Sequence, residues 1–373
     1  MAVSIHRFSR RSLLLSALAL PALADETRVS KPGVFESEWK RYADPATEFT
    51  VFRLTEPSYT STLPAYYNRA ISRNSGSLLF CCDRTGSPQA FRMDLKSGET
   101  RQLTDREGVD GASLNFLPDS RSFCYFAGRT LYLANVASLK EREIYTVPDD
   151  WERCPGLFTG ADSAHVIFAE RRGERSRLRS VPLARGMART VFEAPVLISD
   201  PIERPLRGQI LYRQQDGGLW LVGSDGRQNR RLKLAAGGIG SPNWSVDGRT
   251  LLYLNFPEDP KQLNAIREYS PDNDTDKLVA STSQYASFGF NRDTSVFVGA
   301  SRNAASPVVL IMLRLTRREL TLCEHKASRP DAVTPMFAPD AQRIYFQSDR
   351  HGKPALYAIN VDKLVEKIGD DKE

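Results

Sequence analysis

A unit of about 44 residues recurs seven times along this chain, and no other feature limits its fold so tightly. In the first copy an apolar run, Leu78-Leu-Phe-Cys-Cys82, leads through the turn Asp83-Arg-Thr-Gly86 to a second run, Ala90-Phe-Arg-Met-Asp-Leu95. The turn Lys96-Ser-Gly98 then opens a third, Thr100-Arg-Gln-Leu-Thr104. Equivalent first runs begin near Phe123, Val166, Ile210, Leu251, Val296 and Ile344, at separations of 45, 43, 44, 41, 45 and 48 residues. Short alternating strands with Gly, Asp and Asn at the turns fit four-stranded propeller blades and not helical repeats. The chain is therefore read as all-β, a seven-bladed β-propeller.

Each unit is preceded by a short segment suited to an innermost strand, such as Asn115-Phe-Leu-Pro-Asp119, Pro242 to Gly248, Phe288 to Asp293 and Pro335 to Asp340. An aromatic followed by a Pro/Asp/Gly turn suits a packed strand ending in a hairpin. The last unit, Arg343 to Val361, supplies only two strands before a charged tail, 363–373. Near the N-terminus, Thr50-Val-Phe-Arg-Leu-Thr-Glu56 matches the outer strand that this unit lacks. Residues 50–55 are thus expected to complete the seventh blade and close the ring, which removes its open edges. The propeller then spans 50–362, behind a polar lead-in at 25–49.

The first 24 residues are set apart from the fold. Arg7, Arg10 and Arg11 precede an apolar stretch, Ser12 to Leu20, and a small-residue cleavage site ending at Ala24. This is an export signal, and its adjacent arginines suit the twin-arginine route, with an ordinary secretory signal as the alternative. A periplasmic or secreted location follows. Without the signal, 48 basic side chains face 45 acidic ones, too small an excess to indicate nucleic acid. No later apolar run is long enough to span a bilayer. Five cysteines lack any C-x-x-C pair, and Cys81, Cys82 and Cys124 sit in strand-like runs as small hydrophobes.

Three stretches carry a family likeness: Phe52-Arg-Leu-Thr-Glu56 through Leu103-Thr-Asp105; Ile144-Tyr-Thr-Val-Pro-Asp-Asp-Trp151; and Phe337-Ala-Pro-Asp340 with Ser348-Asp-Arg-His-Gly-Lys-Pro-Ala-Leu-Tyr357. On these the chain resembles the oligogalacturonate lyase family, with a looser similarity to TolB-type propellers. The resemblance implies cleavage of short galacturonate oligomers by β-elimination in the central funnel. It also implies a manganese ion held by histidines and a glutamine, and a histidine base for the C5 proton.

The histidines that this chemistry needs are missing. Only His6, His165, His325 and His351 are present, and of these only His325, in a blade connection, is placed to approach the funnel. By resemblance, the base position falls on Asp200 in Ser199-Asp200-Pro-Ile-Glu-Arg204-Pro205, and Arg204 keeps the family's arginine. Two metal-ligand slots fall at Ser241 and Ser287, and the last-blade approach reads Arg329-Pro-Asp-Ala-Val-Thr334. No metal is expected. The candidate site is thus Asp200 and Arg204 for chemistry, with Arg204, Arg329, Trp151, Ser241 and Ser287 for substrate. Trp151 is either a sugar-stacking platform or core, and Arg204 either a carboxylate clamp or half of a salt bridge. The readings left open are altered lyase chemistry on an acidic oligosaccharide, non-catalytic binding of one, and a scaffold for protein partners.

Overall fold

The computed structural model describes residues 33–364, apart from Ala161 and Ser163. The export signal lies outside the described residues, as does the tail from 365 on. Among the described residues, seven antiparallel sheets follow one another along the chain. The second strand of each sheet starts within a residue of its expected position, at Ser77, Ser122, His165, Gln209, Leu251, Val296 and Arg343. These strands are buried on both faces. Leu78, Phe123, Ile344 and their counterparts are almost fully enclosed, because each sheet packs face to face against the next.

The first strand of each sheet is innermost and runs along the axis. These strands are Ser61–Thr62, Asn115–Phe116, Glu152–Thr159, Ile198–Arg204, Gly238–Trp244, Tyr285–Phe290 and Met336–Phe337, and they define blades 1 to 7. The outermost strands of blades 2 to 6 are Glu141–Thr146, Arg189–Ala194, Arg230–Arg231, Thr275–Ser281 and Arg318–Glu324.

Ring closure is as the sequence implies. Thr50–Arg53 pairs antiparallel with Ala355–Asn360, with Val51 opposite Ile359 and Arg53 opposite Tyr357. The lead-in does more than was expected of it. Lys40–Ala43 adds a fifth strand to blade 7, and Val34–Phe35 pairs with Thr100–Gln102 as a fifth strand of blade 1. One N-terminal segment therefore stitches the first blade to the last on both sides of the seam.

Candidate functional site

The inner strands are interrupted at one level. In blade 3 the pairing shifts between Arg153 and Leu157, in blade 4 between Ser199 and Ile202, and in blade 5 between Gly240 and Asn243. A residue with positive φ sits at each break: Gly156 at 99°, Asp200 at 49°, Ser241 at 46°. Thr334, at 49°, sits just before the inner strand of blade 7. Proline adjoins every one of them (Pro155, Pro201, Pro242, Pro335). It cannot donate to a ladder, so the strand bulges there, and the left-handed backbone swings the neighbouring side chain out of the pleat. Because inner strands line the axis, these bulges ring the central funnel.

One segment crosses that funnel. Between its first two strands blade 1 carries fourteen residues, 63–76, where the other blades use four to six. Along this segment Leu63 donates its N–H to Gln347 of blade 7 (2.7 Å), and Asn68 donates to the Ala112 and Leu114 carbonyls (3.1 and 3.2 Å) beside blade 2. Arg69 reaches Thr159 of blade 3 (3.1 Å), and the Tyr67 hydroxyl donates to Asp200 Oδ1 of blade 4 (3.0 Å). A segment that touches blades 7, 2, 3 and 4 must pass across the axis.

Asp200 is the focus of this arrangement. Its second oxygen accepts from Ser199 Oγ at 2.9 Å. Tyr66 stands edge-on to Tyr67 with ring centroids 4.9 Å apart, and it is half-buried. Burial first, and then the Asp200 charge, push both phenols well above the ordinary tyrosine range, while Arg213 opposes this at Tyr66. Both tyrosines thus stay protonated, and Tyr67 is the donor in its contact with Asp200. Arg213 lies opposite Ser199 in the sheet. It is pinned by the carbonyls of Gly217 (2.9 Å) and Ile239 (3.2 Å), and among the described residues no carboxylate lies within ion-pair distance of it. Sequence reasoning missed Tyr66, Tyr67 and Arg213; the long gap between Thr62 and Ser77 was the available signal for the first two.

The remaining expected residues divide. Ser241 shares the bulge level with Asp200. Ser287 is buried and donates to the Pro330 carbonyl (3.2 Å), fastening blade 6 to the segment that bears Arg329. Arg329 is 74% exposed and pairs with Asp331 at 3.0 Å on a connecting loop.

Arg204 does not act from the funnel mouth. It ends the inner strand, four residues past Asp200, and is 2% exposed. Its guanidinium binds the Gly248 carbonyl (2.7 Å), Gln209 Oε1 (2.7 Å) and Asp272 (2.8 Å). All three partners lie in or beside turns of blades 4 and 5, so Arg204 is a clamp between blades. Its acid is Asp272 and not the adjacent Glu203 or Asp200. Trp151, 7% exposed, belongs to the core between blades 2 and 3, with the Arg177 guanidinium 3.8 Å and the Arg172 guanidinium 4.9 Å from its ring. No face is left for a sugar.

The three described histidines are structural in their contacts. His325 is fully buried, with Nε2 2.9 Å from the Ser301 carbonyl and Nδ1 accepting from Ala327 N–H at 3.0 Å. His165 lies beside Glu203 (3.6 Å) and Asp162 (3.7 Å), and His351 Nδ1 meets the Tyr357 hydroxyl (2.8 Å). Among the described residues, no three or more His, Cys, Asp or Glu gather as a metal site. Thr334 turns its hydroxyl onto the Ala332 carbonyl (2.9 Å), as Ser287 does onto Pro330. The Ser287 and Thr334 hydroxyls, neutral and already donated to carbonyls, do not fit manganese, which favours carboxylate donors. The five cysteines are buried and unpaired, and burial pushes the Cys154 thiol up to about 11.

Comparison with known proteins agrees with the seven-bladed fold. A family model described as oligogalacturonate lyase matches residues 30–178, which include the Val-Pro-Asp-Asp-Trp stretch. The oligogalacturonide lyase of Pectobacterium atrosepticum is 25% identical over 375 residues, covering 87% of this chain and 96% of that protein. The oligogalacturonate lyase of Dickeya dadantii gives the same values. Among solved structures, an oligogalacturonate lyase in complex with manganese superposes with a TM-score of 0.84 at 24% identity, over 89% of this chain and 98% of that one. An oligogalacturonate lyase from Vibrio parahaemolyticus also reaches 0.84, at 21% identity over 90% and 100%.

Proposed function

We propose that this chain, a divergent relative of the oligogalacturonate lyases, takes short acidic oligosaccharides of pectin into its central funnel and holds them without the metal-dependent elimination of that family. The observation that carries this reading is which residues occupy the slots that the resemblance assigns to base and metal ligands. Asp200, Ser241, Ser287, Ala332 and Thr334 stand where the resemblance implies a histidine base and metal ligands.

The chemistry of elimination explains why that matters. A proton beside a carboxylate is very weakly acidic, so the charge on the carboxylate must be neutralised as the carbanion develops. Among the described residues no metal-ligand cluster gathers for this, Arg204 is held between blades 4 and 5, and Arg329 is an exposed loop residue paired with Asp331. An aspartate base also has an intrinsic pKa about 2.6 units below that of histidine. Asp200 and Tyr67 suit recognition better. A carboxylate accepts hydrogen bonds from sugar hydroxyls, aromatic faces contact the apolar face of a pyranose, and the unneutralised Arg213 draws a uronate carboxylate. The signal read from the sequence directs the protein to the periplasm or the exterior, where such oligomers occur.

A second reading keeps slow elimination with Asp200 as base. The 3.0 Å Tyr67 contact favours it, since a phenol able to give a proton stands beside a carboxylate able to take one.

Calorimetry with saturated digalacturonate, run alongside ultraviolet absorbance for unsaturated product, separates these. Binding that survives a chelator with no absorbance growth is the expected result. Growth that needs added Mn²⁺ would overturn metal independence, growth that survives chelator and is lost in Asp200→Asn would establish the second reading, and no binding at all would sink both.

A further inference from the structure

A cleft of about 800 Å³ runs between blades 4 and 5, from the outer strand Arg230–Arg231 along the connecting segment 232–237 to the inner strand at Gly238 and Ile239. Its inner end is set by Arg213, the same half-buried guanidinium whose charge acts on Tyr66. We propose that this cleft is an outer subsite of the funnel, which receives the second or third uronate of an acidic oligosaccharide and binds its carboxylates through Arg213, Arg231 and Lys233. The inference rests on the function proposed above and extends it to a specific surface.

The argument begins with Arg213. A guanidinium taken partly out of water needs compensation, and here it has two neutral carbonyls and, among the described residues, no carboxylate within ion-pair distance. Those carbonyls hold it rigidly between the Gly217 turn and the inner strand, so little entropy is lost when an anion binds. Arg231 is held ready as well. Its guanidinium lies over Gly218, where a Cβ would come within 3.0 Å of Nη2, and it is only loosely paired with Asp216 at 3.3 Å. Lys233 stands at the outer end, 81% exposed and paired with Asp274. Three cations thus line the cleft between the inner strand and the outer strand. Asp216 and Glu258 also line the cleft, which leaves a net positive wall and acceptors for sugar hydroxyls.

The size of the cleft suits a piece of oligosaccharide, since pockets for small ligands run from about 300 to 1,000 Å³. The glycines there have a structural cause. A Cβ at Gly237 would lie 2.2 Å from the Phe256 carbonyl oxygen, and one at Gly240 would lie 2.7 Å from the Phe256 ring. The segment is therefore shaped by packing on Phe256, not by a bound phosphate.

Calorimetry at several salt concentrations tests the cleft, using saturated trigalacturonate, digalacturonate and their methyl esters. The double variant Arg231→Ala, Lys233→Ala changes exposed side chains, so folding should survive. It should weaken trigalacturonate binding about 3- to 10-fold, digalacturonate less, the methyl esters not at all, and it should flatten the salt dependence. Arg213→Gln should lose more, with circular dichroism checking its fold. If both variants bind trigalacturonate like the wild type while Asp200→Asn binds more weakly, the cleft is not a subsite and the funnel reading stands. If the wild type binds no uronate, that reading and this extension fall together.

Discussion

The side chain of Arg204 shows how position along a strand decides what a residue does. Asp200 and Arg204 share an inner strand and lie four residues apart, which separates them by about 13 Å in an extended chain. One ends up at the funnel bulge and the other at the far turn, fixed to Gly248, Gln209 and Asp272. Motif reading linked them because they are neighbours in sequence. His325 illustrates the same point with a pH consequence. Its Nδ1 accepts from Ala327, so Nε2 carries the proton and donates to Ser301, and the ring is neutral. Burial chiefly, against the Ser301 hydrogen bond and Asp349 and with help from Arg350, holds its pKa below the ordinary histidine value. The unfolded chain therefore takes up the proton first. The stability that His325 contributes is complete above about pH 6.5 and is lost as pH falls from there toward the depressed folded value. His165, raised by Glu203, acts in the opposite sense. Thermal unfolding at pH near 7.5 and 5.5 should show a drop for the wild type that is smaller in His325→Gln; equal drops would deny the residue this role.

At the level of elements, the inner strands carry both the fold and the site, and the bulges reconcile the two. Proline ends local pairing, a positive-φ residue beside it breaks the pleat, and flanking alternation keeps the strand in its sheet. The bulge in blade 3 uses Gly156 because nothing larger fits. A Cβ there would lie 2.8 Å from the Asp200 Cα and 2.9 Å from the Tyr67 hydroxyl, at a φ of 99°. Gly156→Ala should therefore cost about 1–3 kcal/mol in chemical denaturation and should weaken digalacturonate binding, because it pushes Tyr67 off Asp200. Unchanged stability and affinity would mean that the contact is not needed. Each bulge could be suspected from its X-Pro pair in an apolar run, yet which bulges face one another depends on ring geometry that no single element holds.

Across the whole molecule, the N-terminal segment is the seam of the ring. Thr50–Arg53 fills the outer position of blade 7, while Lys40–Ala43 and Val34–Phe35 add strands to the two blades that meet there. Propeller rings without a closing strand expose two sheet edges and lose the cooperative packing of their first and last blades. Removal of residues 25–56 should leave no soluble folded protein, whereas removal of 25–38, which takes the strand Val34–Phe35 and the Glu38 contact with Arg84 but spares Lys40–Ala43, should lower the melting temperature and spare the fold. A stable, monomeric product from the longer truncation would show that blade packing alone holds the ring shut.

The repeat by itself determined the architecture of this protein, seven blades and their closure by residues 50–55, of which Thr50–Arg53 form the strand. Each blade buries the same alternation of apolar residues, so local pattern and global packing make the same demand seven times. The family likeness read from Val-Pro-Asp-Asp-Trp and its companions extends across most of the chain in the comparisons. Only the tertiary structure decided which residues meet at the axis. Tyr67 reaches Asp200 across 133 positions, Arg204 finds Asp272 rather than an adjacent acid, and Trp151 is closed into the core. Those contacts follow from the curvature of the ring and from one long crossing segment. A periodic sequence fixes the blades, but the space enclosed by seven of them is shared by all, and no blade alone encodes what fills it.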